Sequence, residues 1–286
     1  MTATSNTPPP YTSTNTPGLG ILARLPPEIR NTIYSILLSS PSPFFVVRAV
    51  QTAGKFKLRE WTDKPQHDIL ATLQALGYVS HDSRQETRTY FYSRNDVLVL
   101  CYGYEYLTIF VRWLEKIGTE CRAVLRKVML SGCMWYQPSQ PLTQRLHSLL
   151  CECSNTRHLN IQLNIRHFCE SNLPELSAYL NYMGPEPHDG PLPRIDVSPW
   201  TQVIVASKHL ETFELGLVLS ADNEMVRTER RLNVQEFSED RGDALARDVE
   251  QRLRVGVQEI CEGRDVEIRV RYKGRDERKY YLLGLW

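Results

Sequence analysis

The chain is 286 residues long, 42% hydrophobic and 23% charged, which suits one large soluble globular domain or two small ones. Its 34 basic and 33 acidic residues leave a formal net charge of +1, so bulk charge gives no pull toward nucleic acid or a membrane surface. No apolar run reaches the roughly 18 to 20 residues that a membrane helix requires.

Residues 1–20, "MTATSNTPPPYTSTNTPGLG", hold neither the basic nor the apolar block of a secretory signal. Rich in Thr, Ser and Pro, they are read as a disordered tail. Seven cysteines without an export signal indicate a reduced, intracellular protein, cytoplasmic or nuclear. Leu22, Leu25, Ile29, Ile33, Ile36 and Leu37 then recur mostly at three- and four-residue spacing. They predict one stripe of a helix running to about Leu38, opened by Pro26 and Pro27, which fit a first turn where no N–H is needed. Such a stripe either faces the chain's own core or is read by another protein.

"PFFVVRAVQTAGKFKLREW" alternates on both sides of "QTAG" and predicts a β-hairpin. A short helix follows from Asp68, carrying Ile69, Leu70, Leu73 and Leu76. "SHDSRQETRTYFYSRN" predicts another, with Ser80 as N-cap and Ser83, Thr87 and Tyr90 or Phe91 inward. Those small inward residues imply close packing. Residues 95–102 read as a buried strand. "YLTIFVRWLEKIG" reads as an amphipathic helix with Leu107, Phe110, Val111, Leu114 and Ile117 inward and Gly118 at C′.

The pattern repeats beyond this point, with a strand at 125–132, a helix at 142–155 and a strand at 156–165. A helix in "CESNLPELSAYLNYM" follows, then a Pro- and Gly-rich loop at 184–200 and a strand at 208–220. A helix over 241–263 leads to two final strands around "KGRDE". Strand followed by helix, several times, argues for a mainly parallel sheet. Strand spacings of roughly 30 to 55 residues suit either a degenerate leucine-rich-repeat-like stack or an ordinary open α/β sheet.

No phosphate-binding loop, nucleophile elbow or metalloprotease helix is present, so no catalytic residue, cofactor or enzyme activity is expected. Ser80, His81 and Asp82 adjoin in sequence, but a triad forms in space, and a solvated helix start accounts for them. His147, Cys151, Cys153 and His158 form the tightest thiol–imidazole group, yet Cys153 would point away from the other two helical ligands, so no metal is expected. Arg271, Lys273 and Arg275 interleave with aromatics as single-stranded nucleic acid sites do. Alternation on a solvated strand face gives the same pattern, and nucleic acid is not the favoured partner.

Three blocks carry a resemblance. "LARLPPEIRNTIYSILL", "LGYVSHDSRQETRTYFYSRNDVLVL" and "FVRWLEKIGTECRAVLRKVML" are similar, in this order, to the hallmark segments of a fungal F-box-like family of mostly uncharacterised proteins. They span roughly residues 21–132, and residues 133–286 remain as an α/β interaction domain. The resemblance implies a Skp-family adaptor docked on Leu25, Pro26, Ile29, Ile33 and Ile36, linking an unknown protein substrate to a cullin-type ubiquitin ligase. An F-box packs three helices in one short segment, whereas here the hairpin over 44–61 separates the first from the others. Two readings stand: a substrate receptor, or an interaction protein of the same fold with no ubiquitin role.

Overall fold

The computed structural model describes residues 22, 24–52, 55–59, 64–102, 106–133, 140–164, 182, 195–218, 239–261 and 263–273. The expected tail, the helix in "CESNLPELSAYLNYM" apart from Tyr182, most of the Pro-rich loop, the second strand after "KGRDE" and Arg275 lie outside these residues. The described elements run α1 (Pro27–Leu38), β1 (Phe45–Thr52), β2 (Lys55–Arg59), α2 (Lys64–Val79), α3 (His81–Arg94), β3 (Val97–Tyr102) and α4 (Tyr106–Val124). They continue with β4 (Lys127–Cys133), α5 (Gln140–Cys151), β5 (His158–Asn164), α6 (Ser198–Ala206), β6 (Thr212–Val218), α7 (Glu239–Ile260) and β7 (Glu267–Tyr272).

The strands form one sheet in the order β2-β1-β3-β4-β5-β6-β7, antiparallel at β1–β2 and parallel at every other pairing. After the hairpin, β3 joins β1 rather than β2, and each later strand is laid beside the one before it. With right-handed crossovers, such a monotonic order carries every helix to the same side. The contacts agree: α1, α2 and α3 pack on one another, then α3 on α4, α4 on α5, α5 on α6 and α6 on α7. β4 pairs with β3 on one side and β5 on the other, so the sheet is continuous through residue 133.

One strand face supplies the core. Phe45, Val47, Val97, Val99, Val128, Leu130, Leu159, Ile161, Phe213, Leu215, Ile268 and Val270 are buried, while the residues between them are mostly half-buried. Period two in burial means that the described helices cover one face of the strands. Parallel sheets are ordinarily covered on both faces and read as unbroken apolar runs. Here the alternation of "HLNIQLN" and "EIRVRY" keeps the second face polar at β5 and β7.

The helix interiors follow their sequence closely. Leu107, Phe110, Val111, Leu114 and Ile117 of α4 are all buried, and Gly118 turns with φ +81° before one more helical stretch to Val124. Ser83, Thr87, Tyr90 and Phe91 of α3 are buried, and Ser80 caps the helix by accepting from the Ser83 N–H at 3.0 Å. Two elements differ from expectation. α2 begins at Lys64 rather than Asp68, because buried Gln66 occupies an inward position one turn before the apolar period starts at Ile69. The end of the expected loop is the first turn of α6, where Pro199 stands at a position that tolerates a missing N–H and Trp200, Val203 and Ile204 enter the core.

Candidate interaction surfaces

α1 has two apolar sides. Its inner side is Tyr34 and Leu38, both fully buried, with the Tyr34 ring 5.4 Å from that of Tyr90 on α3. Burial holds the Tyr34 phenol protonated, pushing its pKa up to about 12. At about 100° per residue, Ile29 and Ile36 fall on the opposite side, Ile33 and Leu37 lie on its flanks next to the buried side, and Leu25 precedes the helix. Ile36 is 77% exposed, Ile29 48% and Leu37 40%. Pro26 is exposed as well, while Leu25 and Ile33 are half-buried and Ile33 also touches the core. The sequence stripe is thus not the core face. The residues that seat the helix lie between its members.

Three polar groups fix the helix in this orientation. Arg30 donates Nε to Glu86 of α3 at 2.8 Å and Nη1 to the Leu25 carbonyl at 2.7 Å. Asn95, buried at the start of β3, donates Nδ2 to the Leu38 and Phe91 carbonyls, both at 2.9 Å. Its Oδ1 accepts from the Ser40 N–H at 2.7 Å. One amide therefore ends α1 and α3 together, with both of its donors and its oxygen engaged. Sequence reasoning assigned Asn95 only to a strand start. A turn-forming amide between a helix and a strand was the available signal.

The second surface is the sheet face that no described helix covers. One row across it reads Val46, Leu98, Met129, Asn160, Glu214, Arg269, in register from β1 to β7. The row thus passes from apolar at β1–β4 to charged at β6–β7. Glu214 accepts from Asn160 Nδ2 at 2.6 Å and from Arg269 Nη1 at 3.1 Å, and Arg269 Nε donates on to Glu267 at 2.9 Å. In the next row Leu100 of β3 pairs with Arg48 and Ser131, while Gly216 pairs with Gln162 and Arg271. A side chain at 216 would meet Gln162 Cγ at 3.1 Å and Lys273 Cε at 3.2 Å, so glycine there lets Lys273 lie across the sheet.

Arg271 and Lys273 therefore sit on this face beside Glu214 and Glu267, giving mixed charge rather than a positive stripe. The other candidate groups are engaged elsewhere. His147 meets the Trp200 ring edge-on at 4.7 Å, Cys153 donates Sγ to the Leu149 carbonyl, and His158 lies 3.7 Å from Glu211. Burial pushes the Cys153 thiol up to about 12, far from a reactive thiolate. Ser80 is committed to its cap, and His81 stands in solvent 3.6 Å from Asp82.

The chain matches no protein-family model, no curated protein and no solved structure. Its surfaces are the guide to function. Among the described residues, no helix is long and apolar enough to cross a membrane.

Proposed function

We propose that the protein is a non-catalytic receptor that joins two other proteins. The outward stripe of α1 takes a Skp-family adaptor, as the resemblance to F-box-like chains implies, and the open sheet face holds a protein substrate. Its work is proximity: the adaptor brings a cullin-type ligase, and the sheet holds the substrate within reach. The observation that carries this reading is the exposure of Ile29 and Ile36 opposite the Tyr34 and Leu38 anchors. Burying one isoleucine side chain is worth about 1.5–3 kcal/mol, so water makes this stripe a poor final environment. Anchors on one side of a helix are also what helix-in-groove recognition uses. A sheet face running from apolar to charged offers a substrate both area and orientation, as the bare faces of stacked repeats do.

The test is co-purification with a fungal Skp-family adaptor, comparing wild type with Ile29→Asp plus Ile36→Asp. Capture by the wild type is expected, with loss in the double variant at unchanged thermal stability, because neither side chain supports the core. Failure of the folded wild type to capture any such adaptor would remove the ligase role. The second reading, an interaction protein of the same fold with no ubiquitin role, would then stand. What favours that reading is the hairpin: β1 and β2 intervene between α1 and α2, and β1 is an integral strand of the sheet.

A further inference from the structure

Among the described residues β7 is an end strand of the sheet, and its ladder to β6 fixes which backbone groups point outward. Glu267 donates its N–H to the Glu211 carbonyl and Lys273 donates its own to the Leu217 carbonyl, both at 2.9 Å. Backbone direction alternates along a strand, so the odd-numbered residues of β7 face β6. Ile268, Val270 and Tyr272 therefore turn their N–H and C=O groups away from the sheet. Such a row is a template for another strand.

Two side chains of α7 stand in that row. Glu250 accepts the Val270 N–H on Oε2 at 2.9 Å, and Arg254 donates Nη2 to the Ile268 carbonyl. They also hold each other, with Arg254 Nε and Nη2 reaching Glu250 Oε1 at 3.1 and 2.9 Å. In a parallel ladder, one residue of an added strand gives its N–H to the carbonyl of residue i−1 and accepts the N–H of residue i+1. Around Arg269 those groups are the Ile268 carbonyl and the Val270 N–H, the two that the pair engages. The ion pair thus takes the place of one residue of an added strand. Further along, the Tyr272 ring lies against Gly242, where a Cβ would overlap it, so α7 follows β7 closely. Solvent at a sheet edge also satisfies backbone groups. What the pair adds is occupancy, because a strand has to displace it before docking.

We infer that Glu250 and Arg254 guard the β7 edge against pairing with the same edge of a second copy of this chain. A two-fold axis sets two β7 strands antiparallel and makes the outward row self-complementary. Val270 then lies opposite Val270 of the second copy, and Ile268 opposite Tyr272. This edge is separate from the α1 stripe and from the sheet face described above.

Sedimentation velocity of the full chain over a concentration series is the experiment. Wild type should sediment as a monomer, whereas Glu250→Ala plus Arg254→Ala should approach about twice that mass as concentration rises. The Val270 amide should exchange faster in the dilute variant than in wild type and slow again on association. Glu250→Arg plus Arg254→Glu keeps an i,i+4 ion pair but sets a cation against the Val270 N–H, so it should associate as well. A pair that merely stabilises α7 would leave this reversed variant monomeric. Removing the neighbouring pair, by Asp248→Ala plus Arg252→Ala, should also leave a monomer. Arg254→Ala alone, at an exposed position, frees only the Ile268 carbonyl and should associate more weakly, which keeps the comparison if the double variants unfold. Folded edge variants that stay monomeric, wild type that associates equally, or association that leaves the Val270 amide unprotected would overturn the inference.

Discussion

His147 of α5 is flanked by Trp200 of α6, and burial there lowers its pKa from 6.5 to about 4, with Asp196 opposing weakly. The unfolded chain therefore takes up this proton first. Stability is fully present above about pH 6.5 and is lost as pH falls toward 4, with up to about 3 kcal/mol at stake. Replacing His147 by Phe should flatten that part of the stability–pH curve, measured by urea melts across the window. An unchanged acid-side slope would show that other groups set it. In sequence, His147 stood out only as one member of a thiol–imidazole group. Nothing local announced that its neighbour would be Trp200, which enters from a helix beyond a strand and a long Pro-rich stretch. Ser80 and Gly118 were legible for the opposite reason. An N-cap and a positive-φ glycine act on the chain within a few residues of themselves.

At the scale of elements, α4 shows how a helix interrupted by glycine is kept in one piece. Arg122, buried beyond the break, donates Nη1 back to the Leu114 carbonyl at 2.7 Å and Nη2 to Thr119 Oγ1 at 2.9 Å. Its Nε reaches Glu152, after α5, at 3.0 Å. One side chain thus ties both halves of α4 to the next helix of the layer. Arg122→Met should cost about 2–3 kcal/mol in urea unfolding, since it strands a helix-end carbonyl and breaks a largely buried pair. A loss below about 1 kcal/mol would mean that packing alone holds the break. The helix was readable from its apolar spacing, but the clamp was not, because an arginine in sequence looks like solvent. Proline shows a similar limit. Pro26 and Pro27 precede an apolar period and announce α1, whereas Pro199 follows a run of prolines and glycines that masks the same first-turn role in α6.

Across the whole molecule, strand order rather than strand identity escaped the sequence. The alternation of "HLNIQLN" and "EIRVRY" marked strands with one wet face, but hydrogen-bond partners leave no local trace. Irregular spacing between strands hid the monotonic order that the sheet displays. That order makes most contacts nearest-neighbour along the stack, so stability should vary along it rather than fail everywhere together. Leu253→Ala in α7, at a fully buried position against the β7 end, should raise amide hydrogen exchange in β6 and β7 and leave α1 to α3 protected. It should cost about 2–5 kcal/mol locally. Uniform acceleration through the chain would instead mark a single cooperative unit.

Alternation along the strands also separates two kinds of inheritance. Val128, Leu130, Leu159, Ile161, Phe213 and Leu215 answer to the helices, while the intervening Met129, Ser131, Asn160, Gln162, Glu214 and Gly216 answer to whatever lies on the bare face. A codon change at the second set leaves the first untouched. The two sets can therefore drift independently, the scaffold staying the same while the other face is rewritten.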